Sequence, residues 1–306
     1  MAELFQRCAD NPIISPDDLP MPASAVYNPG AVDLGDQVLL LLRIEDRKGF
    51  SSIYAARSPD GVSDWQIEEE PLLAYGTPGR RYEELGCEDA RVTYMAEEDT
   101  YYICYVAYSP VGPAVGLAQT HDFEEAERLG LIFSPNNKDT VMFPEKIGDK
   151  WAVLHRPATG DIEHIWSAAS PDLIHWGVPH CVLVERGGPW WDGVKVGAGA
   201  PPLRTEEGWL LIYHGVKAFG SNMVYRVGLA LLDEDEPHKV RARCPGWVFG
   251  PAADYEVSGF MPNVVFPCGC LLRGDDLWMY YGAADTSVCL AIAPLSEVLS
   301  ALTAGG

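Results

Sequence analysis

The chain has 306 residues and a formal net charge of −22 at neutral pH. That length suits one large β domain or two ordinary domains, with enough chain to bury a substantial core. The acidic balance excludes nucleic acid and an anionic membrane surface as partners, because both would repel the chain. An anionic ligand would need a local cluster of Lys, Arg and His to overcome the overall field.

The N-terminal "MAELFQRCADNPIISPDDLP" has no positive segment leading into an apolar run, so no signal peptide is predicted. No apolar stretch reaches the roughly 18 residues of a membrane span. Cysteines at 8, 87, 104, 181, 244, 268, 270 and 289 form no Cys-x-x-Cys pair, and Cys268-Gly-Cys270 alone is a weak metal signal. Reduced thiols and a cytoplasmic location are the expectation. HExxH, phosphate-loop and GxGxxG patterns are absent, so neither a metal nor an organic cofactor is predicted.

Along the chain, short turn-to-strand entrances recur: "YNPGAV" near 28, "CEDARV" near 89, "MFPEKI" near 144, "GAPPL" near 201 and "FMPNVVF" near 262. Each precedes an apolar run: "QVLLLLRIED", "YYICYVAYS", "KWAVLHRP", "WLLIYHGV" and "LWMYYGAAD". A third run then closes on alanine, at Ala56, Ala118, Ala169, Ala230 and Ala291, in steps of 62, 51, 61 and 61 residues. Acidic turns such as "SPDGVSDW" (58–65), "THDFEEAE" (120–127) and "SPDLIHWG" (170–177) lead into a fourth, outer strand. Five copies of about four strands, none able to bury both faces alone, predict an all-β, five-bladed β-propeller. It forms a single domain over 1–306, with the segment around "NPII" completing the last blade. "SEVLSALTA" (296–304) is the one strong helical run.

Equivalent strand ends of such a repeat meet around a central funnel. Second-strand ends bring Arg43, Arg156, His214 and Asp285, and first-strand entrances bring Asn28, Asp89, Lys138 and Lys195. Tyr213 and Tyr281 are expected beside them. A lone Arg or His at a strand end is usually solvated, but Arg156, Lys138, Lys195 and His214 would converge in a strongly acidic chain. Converging cations predict a bound phosphate or carboxylate. Asp89 stands where the other units carry "NPG", "FPE", "APP" and "MPN", and Arg91 is placed to brace it by strand alternation. Trp190 and Trp191 in "GGPWWDG" suit core packing and a sugar-stacking platform equally.

Taken together, "NPGAV", "LLLRIEDRKGFSSIYAARSPDG", "GCEDARV", "NNKDTVMFPEKI", "LHRP", "KVGAGAPPLRTEEGWLLIYHGV" and "YYGAADT" resemble the mannoside phosphorylases of glycoside hydrolase family 130 over roughly residues 10 to 295. The resemblance implies a five-bladed propeller and an inverting reaction. Inorganic phosphate attacks the anomeric carbon of a terminal β-mannosyl unit, giving α-mannose 1-phosphate and a shortened acceptor. It implies Asp89 as the catalytic acid, acting through a hydroxyl of the bound mannose. It further implies Lys138, Arg156, Lys195 and His214 on phosphate, and Asn28, Arg43 and Asp285 on the mannosyl ring. Two positions depart from the family pattern: Ala90 follows the aspartate where proline is usual, and Lys138 stands where some members have arginine. The implied partners are a mannose-containing oligosaccharide and phosphate, with phosphate as co-substrate and no cofactor; assembly into a homo-oligomer stays open.

The chemistry follows without the family. Glycoside cleavage needs a proton for the leaving oxygen and a nucleophile on the opposite face. An inverting hydrolase activates water with a second carboxylate, whereas phosphate is already an anion and needs cations to hold it. One acid facing a basic cluster therefore predicts phosphorolysis. The rivals are an inverting β-mannosidase with Glu88 or Glu45 as base, and a non-catalytic sugar-binding propeller. Acceptor choice is expected in the loops 75–85 and 217–225, with Arg80, Arg81 and Tyr82 slightly favoured to sit in solvent.

Overall fold

The structure, a computed structural model, describes residues 3–158, 160 and 163–303. Strands fall into five consecutive antiparallel units. The first holds Ala25–Asp33, Val38–Glu45, Ser51–Ser58 and the short Gln66–Ile67. The second holds Gly86–Met95, Thr100–Ser109, Gly112–Thr120 and Glu127–Phe133, and the third Asn137–Met142, Trp151–Pro157, Ile165–Ser170 and Gly177–Leu183. In the fourth, Lys195–Ala198 and Leu203–Thr205 both pair with Gly208–Phe219, followed by Asn222–Leu232 and Val240–Arg243. The fifth holds Val265–Arg273, Asp276–Ala283 and Ser287–Pro294. Its fourth position is taken by Gln6–Arg7, antiparallel to Ser287–Pro294 through Gln6↔Ile292 and Arg7↔Ala291. The "NPII" segment docks beside it, with Asn11 exchanging two hydrogen bonds of 2.8 Å with the Leu290 backbone and Ile14 bridging Val288. All five alanine markers lie in the third strand of their unit.

The apolar runs make sense once the cores are located. Leu39 and Leu41 pack with the second unit around Ile103 and Tyr105, while Leu40 and Leu42 pack with the fifth around Tyr280 and Leu290. A strand covered on both faces loses polar alternation, which is why "VLLLL" reads as continuous. The same pattern recurs between the second and third units, the third and fourth, and the fourth and fifth. The outer strand Glu127–Phe133 covers little and alternates between exposed and half-buried positions. The helix Leu295–Thr303 starts one residue before the predicted run and inserts Val298 and Leu302, one turn apart, into the fourth–fifth core. Ala304 lies outside the described residues.

Two alignments need correction. The first strand of the third unit is Asn137–Met142, so "MFPEKI" begins at its far end. In the fourth and fifth units the prolines of "APP" and "MPN" interrupt or precede the strand, because proline has no N–H to give a ladder. The equivalence lies elsewhere. Pairing registers shift between Tyr27 and Gly30, Glu88 and Arg91, and Lys138 and Val141. At each shift one residue is left-handed: Asn28 (φ 49), Asp89 (φ 50) and Asp139 (φ 52). Asn and Asp tolerate that region best among side-chain-bearing residues, and a bulge there re-aims the side chain. Asp139, not Lys138, is thus the counterpart of Asp89.

Candidate active site

Asp89 is buried, and its bulge turns it into a pocket lined also by Asn28, Arg43, Lys138, Tyr225, Met261, Phe266 and Asp285. Asn28 Nδ2 donates to Asp89 Oδ1 at 2.9 Å, and Arg43 Nη1 donates to the same oxygen at 3.0 Å. Arg43 also donates to Glu88 Oε1 (3.0 Å) and Ser51 Oγ (2.9 Å), with its guanidinium 4.6 Å above the Tyr27 ring. Burial pushes the Asp89 carboxyl up. The charges of Arg43, Lys138 and Arg91, with the Asn28 amide, outweigh it and hold Asp89 at about 2. Glu88 goes the other way, raised by burial despite Arg43.

Asp285, left-handed at φ 50, is raised to about 6, first by burial and then by repulsion from Asp89 and Glu45, against the pull of Arg43 and Lys138. A carboxyl raised in the folded state contributes stability below its unfolded pKa and loses it as pH rises through 6. Ionised Asp285 therefore strains the free protein near neutrality. Asp285→Asn is expected to raise thermal stability at pH 7.5 by about 3 kcal/mol and by less than about 1 kcal/mol at pH 4, as read by melting at both pH values.

Behind the Phe266 and Tyr225 wall of the pocket lies a cluster of basic side chains. Arg156 Nη1 lies 3.1 Å from His214 Nε2 and 3.0 Å from Asp139 Oδ2, while its Nε lies 2.9 Å from Glu163 Oε2. His214 is fully buried, tilted on Phe266 at 4.5 Å, and its Nε2 is 3.4 Å from Asp139 Oδ2. Burial first, then Arg156, Arg91 and Lys195, drive its pKa well below the ordinary imidazole value against the pull of Asp139. The ring is neutral. Because Nε2 accepts from Arg156, Nδ1 carries the proton, and Nδ1 has no partner among the described residues. Lys138 lines the pocket itself; burial opposes its ammonium, but Asp139 and Asp89 outweigh that and raise its pKa. Lys195 Nζ lies 5.5 Å over the Tyr225 ring, and its backbone bridges Glu163.

Arg91 braces Asp89 through the backbone: Nη1 donates to Asp89 O at 2.8 Å, Nε to Gly199 O at 3.3 Å and Nη2 to Asp139 Oδ1 at 3.4 Å. One buried guanidinium thus ties the first strands of the second, third and fourth units together. All eight nominated residues belong to this one region. The sequence reading missed Asp139, Glu163, Tyr225, Met261 and Phe266. Aligning on Asn28 and Asp89 themselves, instead of on neighbouring prolines, would have found Asp139.

Several expectations are corrected. Tyr213 and Tyr281 point away from the pocket, one residue out of phase with it. They are fully buried, and their hydroxyls donate to Asp192 Oδ2 (3.1 Å) and Glu256 Oε1 (2.7 Å). Tyr225 and Phe266 are the aromatic residues of the site. The tryptophan pair divides: Trp191 is 8% exposed and donates to Pro245 O, while Trp190 is 43% exposed under the Arg186 guanidinium. Arg80, Arg81 and Tyr82, by contrast, are exposed as expected. A larger cavity of about 400 Å³ lies among Val32, Tyr94, Pro202 and Leu271, but its charges are engaged, Asp33 with Arg273 and Arg204 with Glu145 and Glu234. All eight cysteines are free thiols, and no helix among the described residues is long and apolar enough to cross a membrane.

Relatives with known names share this chain's sequence and shape. The family model described as beta-1,4-mannooligosaccharide phosphorylase matches residues 11–304. A beta-1,2-mannobiose phosphorylase of Listeria innocua is 44% identical over 254 residues, 82% of this chain and 69% of that protein. A 1,2-beta-oligomannan phosphorylase of a Thermoanaerobacter species is 32% identical over 305 residues, 96% and 98% of the two chains. A solved structure of the Listeria innocua beta-1,2-mannobiose phosphorylase, in complex with beta-1,2-mannobiose, superposes with a TM-score of 0.88 at 35% identity, covering 98% of this chain and 99% of that one. The chain belongs to glycoside hydrolase family 130.

Proposed function

We propose that this protein is an inverting phosphorylase of terminal β-mannosides, built as a single-domain five-bladed propeller and working in the cytoplasm. Five interlocked cores, the last joining the fifth unit back to the first, support the propeller. Free thiols support the reducing compartment. The observation that carries the function is a buried carboxylate, Asp89, in a pocket whose Phe266 wall is backed by His214 and Arg156, themselves 3.1 Å apart.

In this reading Asn28, Arg43 and Asp285 hold the mannosyl ring against Asp89. Lys138, Arg156, Lys195 and the Nδ1–H of His214 hold phosphate on the opposite face. The glycosidic C–O bond breaks as a phosphate oxygen bonds to the anomeric carbon, and the leaving oxygen takes a proton relayed from Asp89 through a mannosyl hydroxyl. Dihydrogen phosphate brings the net proton, so the sum is mannoside plus phosphate giving mannose 1-phosphate plus acceptor. Asp89 is ionised in the free protein. Phosphate charge and the engagement of Arg43 by the sugar raise its affinity for that proton when the complex forms. Asp139 and Glu163 keep the cationic side from repelling itself before phosphate arrives.

Hydrolysis by Glu88 fits less well, because Glu88 is the chain neighbour of Asp89 and shares Arg43 with it. A water-activating base belongs across the ring from the acid. The test is turnover of β-1,2-mannobiose, β-1,4-mannobiose and mannosylglucose with and without phosphate, the β-1,2 substrate being favoured by the Listeria likeness. Cleavage should require phosphate; equal release of mannose without it would establish a hydrolase, and no cleavage at all a binding protein.

A further inference from the structure

Between the fourth and fifth units, residues 250–264 leave the sheets and make one helical turn, Asp254–Val257. This segment hangs on one carboxylate. Glu256 is fully buried; its Oε1 accepts from Arg7 Nε (2.8 Å) and Tyr281 Oη (2.7 Å). Its Oε2 accepts from Arg7 Nη2 (2.8 Å), Ala252 N (2.7 Å) and Ala253 N (3.0 Å). The backbone beyond is pinned as well, with Phe260 N donating to Thr286 Oγ1 (3.2 Å), Met261 N to Ala284 O (3.1 Å) and Asn263 N to Glu256 O (3.0 Å). Yet this clamped segment holds two large apolar side chains in water, Phe260 at 61% and Met261 at 43% exposure. Met261 also lines the pocket of Asp89 and Asp285.

A rigid segment that keeps Met261 on the wall of a polar pocket, with exposed Phe260 next to it in the chain, suits a ligand with one apolar face. A pyranose presents its C–H groups on such a face. The buried floor at Asn28, Arg43 and Asp89 takes the reacting ring and the cationic side takes phosphate, which leaves the rim for the group that departs. We propose that Met261 and Phe260 form the platform for the acceptor sugar, and that Arg7, acting through Glu256, is its positioning residue. This rests on the reading of Asp89 as the reacting centre. It gives the N-terminal strand a part in substrate choice, since Arg7 reaches the segment from Gln6–Arg7.

The experiment is calorimetry of β-1,2-mannobiose and of mannose on Asp89→Asn protein, a background that holds off turnover, with and without Phe260→Ala/Met261→Ala. The platform predicts about a tenfold rise in Kd for the disaccharide and less than about a twofold change for mannose. Arg7→Met should give the same split, smaller, with Glu256 left intact. Equal weakening of both sugars, or weakening of neither, overturns the assignment. The wild type is assayed separately for phosphate-dependent cleavage: a protein that shows the binding split but no phosphorolysis would sink the functional reading and leave the platform standing.

Discussion

Asp89→Asn is expected to lower kcat for mannoside phosphorolysis by at least about 10³-fold while leaving the KM for phosphate within a few-fold. The amide is isosteric, tolerates the left-handed φ of 50, and can still accept from Asn28 and Arg43 through its oxygen. What it loses is the titrating oxygen and the charge. Phosphate is held by other groups, so its binding should persist. Stability falls too, with a sign that the pKa fixes. A carboxyl held at about 2 contributes stability above its unfolded value near 4 and loses it as pH falls through 2. The variant should therefore be about 2 kcal/mol less stable at pH 7, a deficit that narrows toward pH 2. Steady-state kinetics beside melting at two pH values separates the two losses. A variant that keeps more than a tenth of the wild-type kcat would remove Asp89 from the chemistry.

The second large effect is expected on the phosphate side, where two cations differ in what they leave behind. The Lys195 side chain makes no ion pair among the described residues, and its ammonium lies 5.5 Å over the Tyr225 ring. Lys195→Met should raise the KM for phosphate by about 30-fold or more with stability nearly unchanged. Arg156 is bound to Asp139 at 3.0 Å and to Glu163 at 2.9 Å, both buried. Arg156→Ala should cost comparable phosphate affinity and, by orphaning Glu163 and leaving Asp139 with only Arg91 and a neutral His214 beside it, about 3–5 kcal/mol of stability. Phosphate titrations on both variants, with denaturant melts, check this pair. Unchanged phosphate KM in Lys195→Met would move the anion site away from Lys195.

The repeat was legible because the fold writes it in the strands. Runs such as "QVLLLL" and "WLLIYH" are apolar on both faces since each strand lies between two cores, and the alanines close every third strand for the same reason. Individual acids and bases were legible where they end such runs, as Arg43, Arg156 and His214 do. What escaped was register. Asp139 follows Lys138 directly, and only the two-residue bulge makes it, rather than the lysine, the repeat counterpart of Asp89. Tyr213 and Tyr281 were misplaced by a single residue, which in a strand turns a side chain to the opposite face. Glu163 and Met261 come from segments between the repeated strands, and Tyr225 from the long leading end of Asn222–Leu232, well before its alanine marker, so the alanine periodicity did not mark them. The Glu256 clamp joins residues 249 positions apart through Arg7, a contact visible only after the chain has closed.

Inversion requires phosphate and acid to lie on opposite faces of one mannosyl ring. Proton NMR of the sugar product during the first turnovers, with phosphate present and then omitted, tests this most directly. α-Mannose 1-phosphate should appear as the sole phosphorylated anomer, in step with free acceptor, and nothing should form without phosphate. The β anomer, or free mannose released when phosphate is omitted, would contradict it.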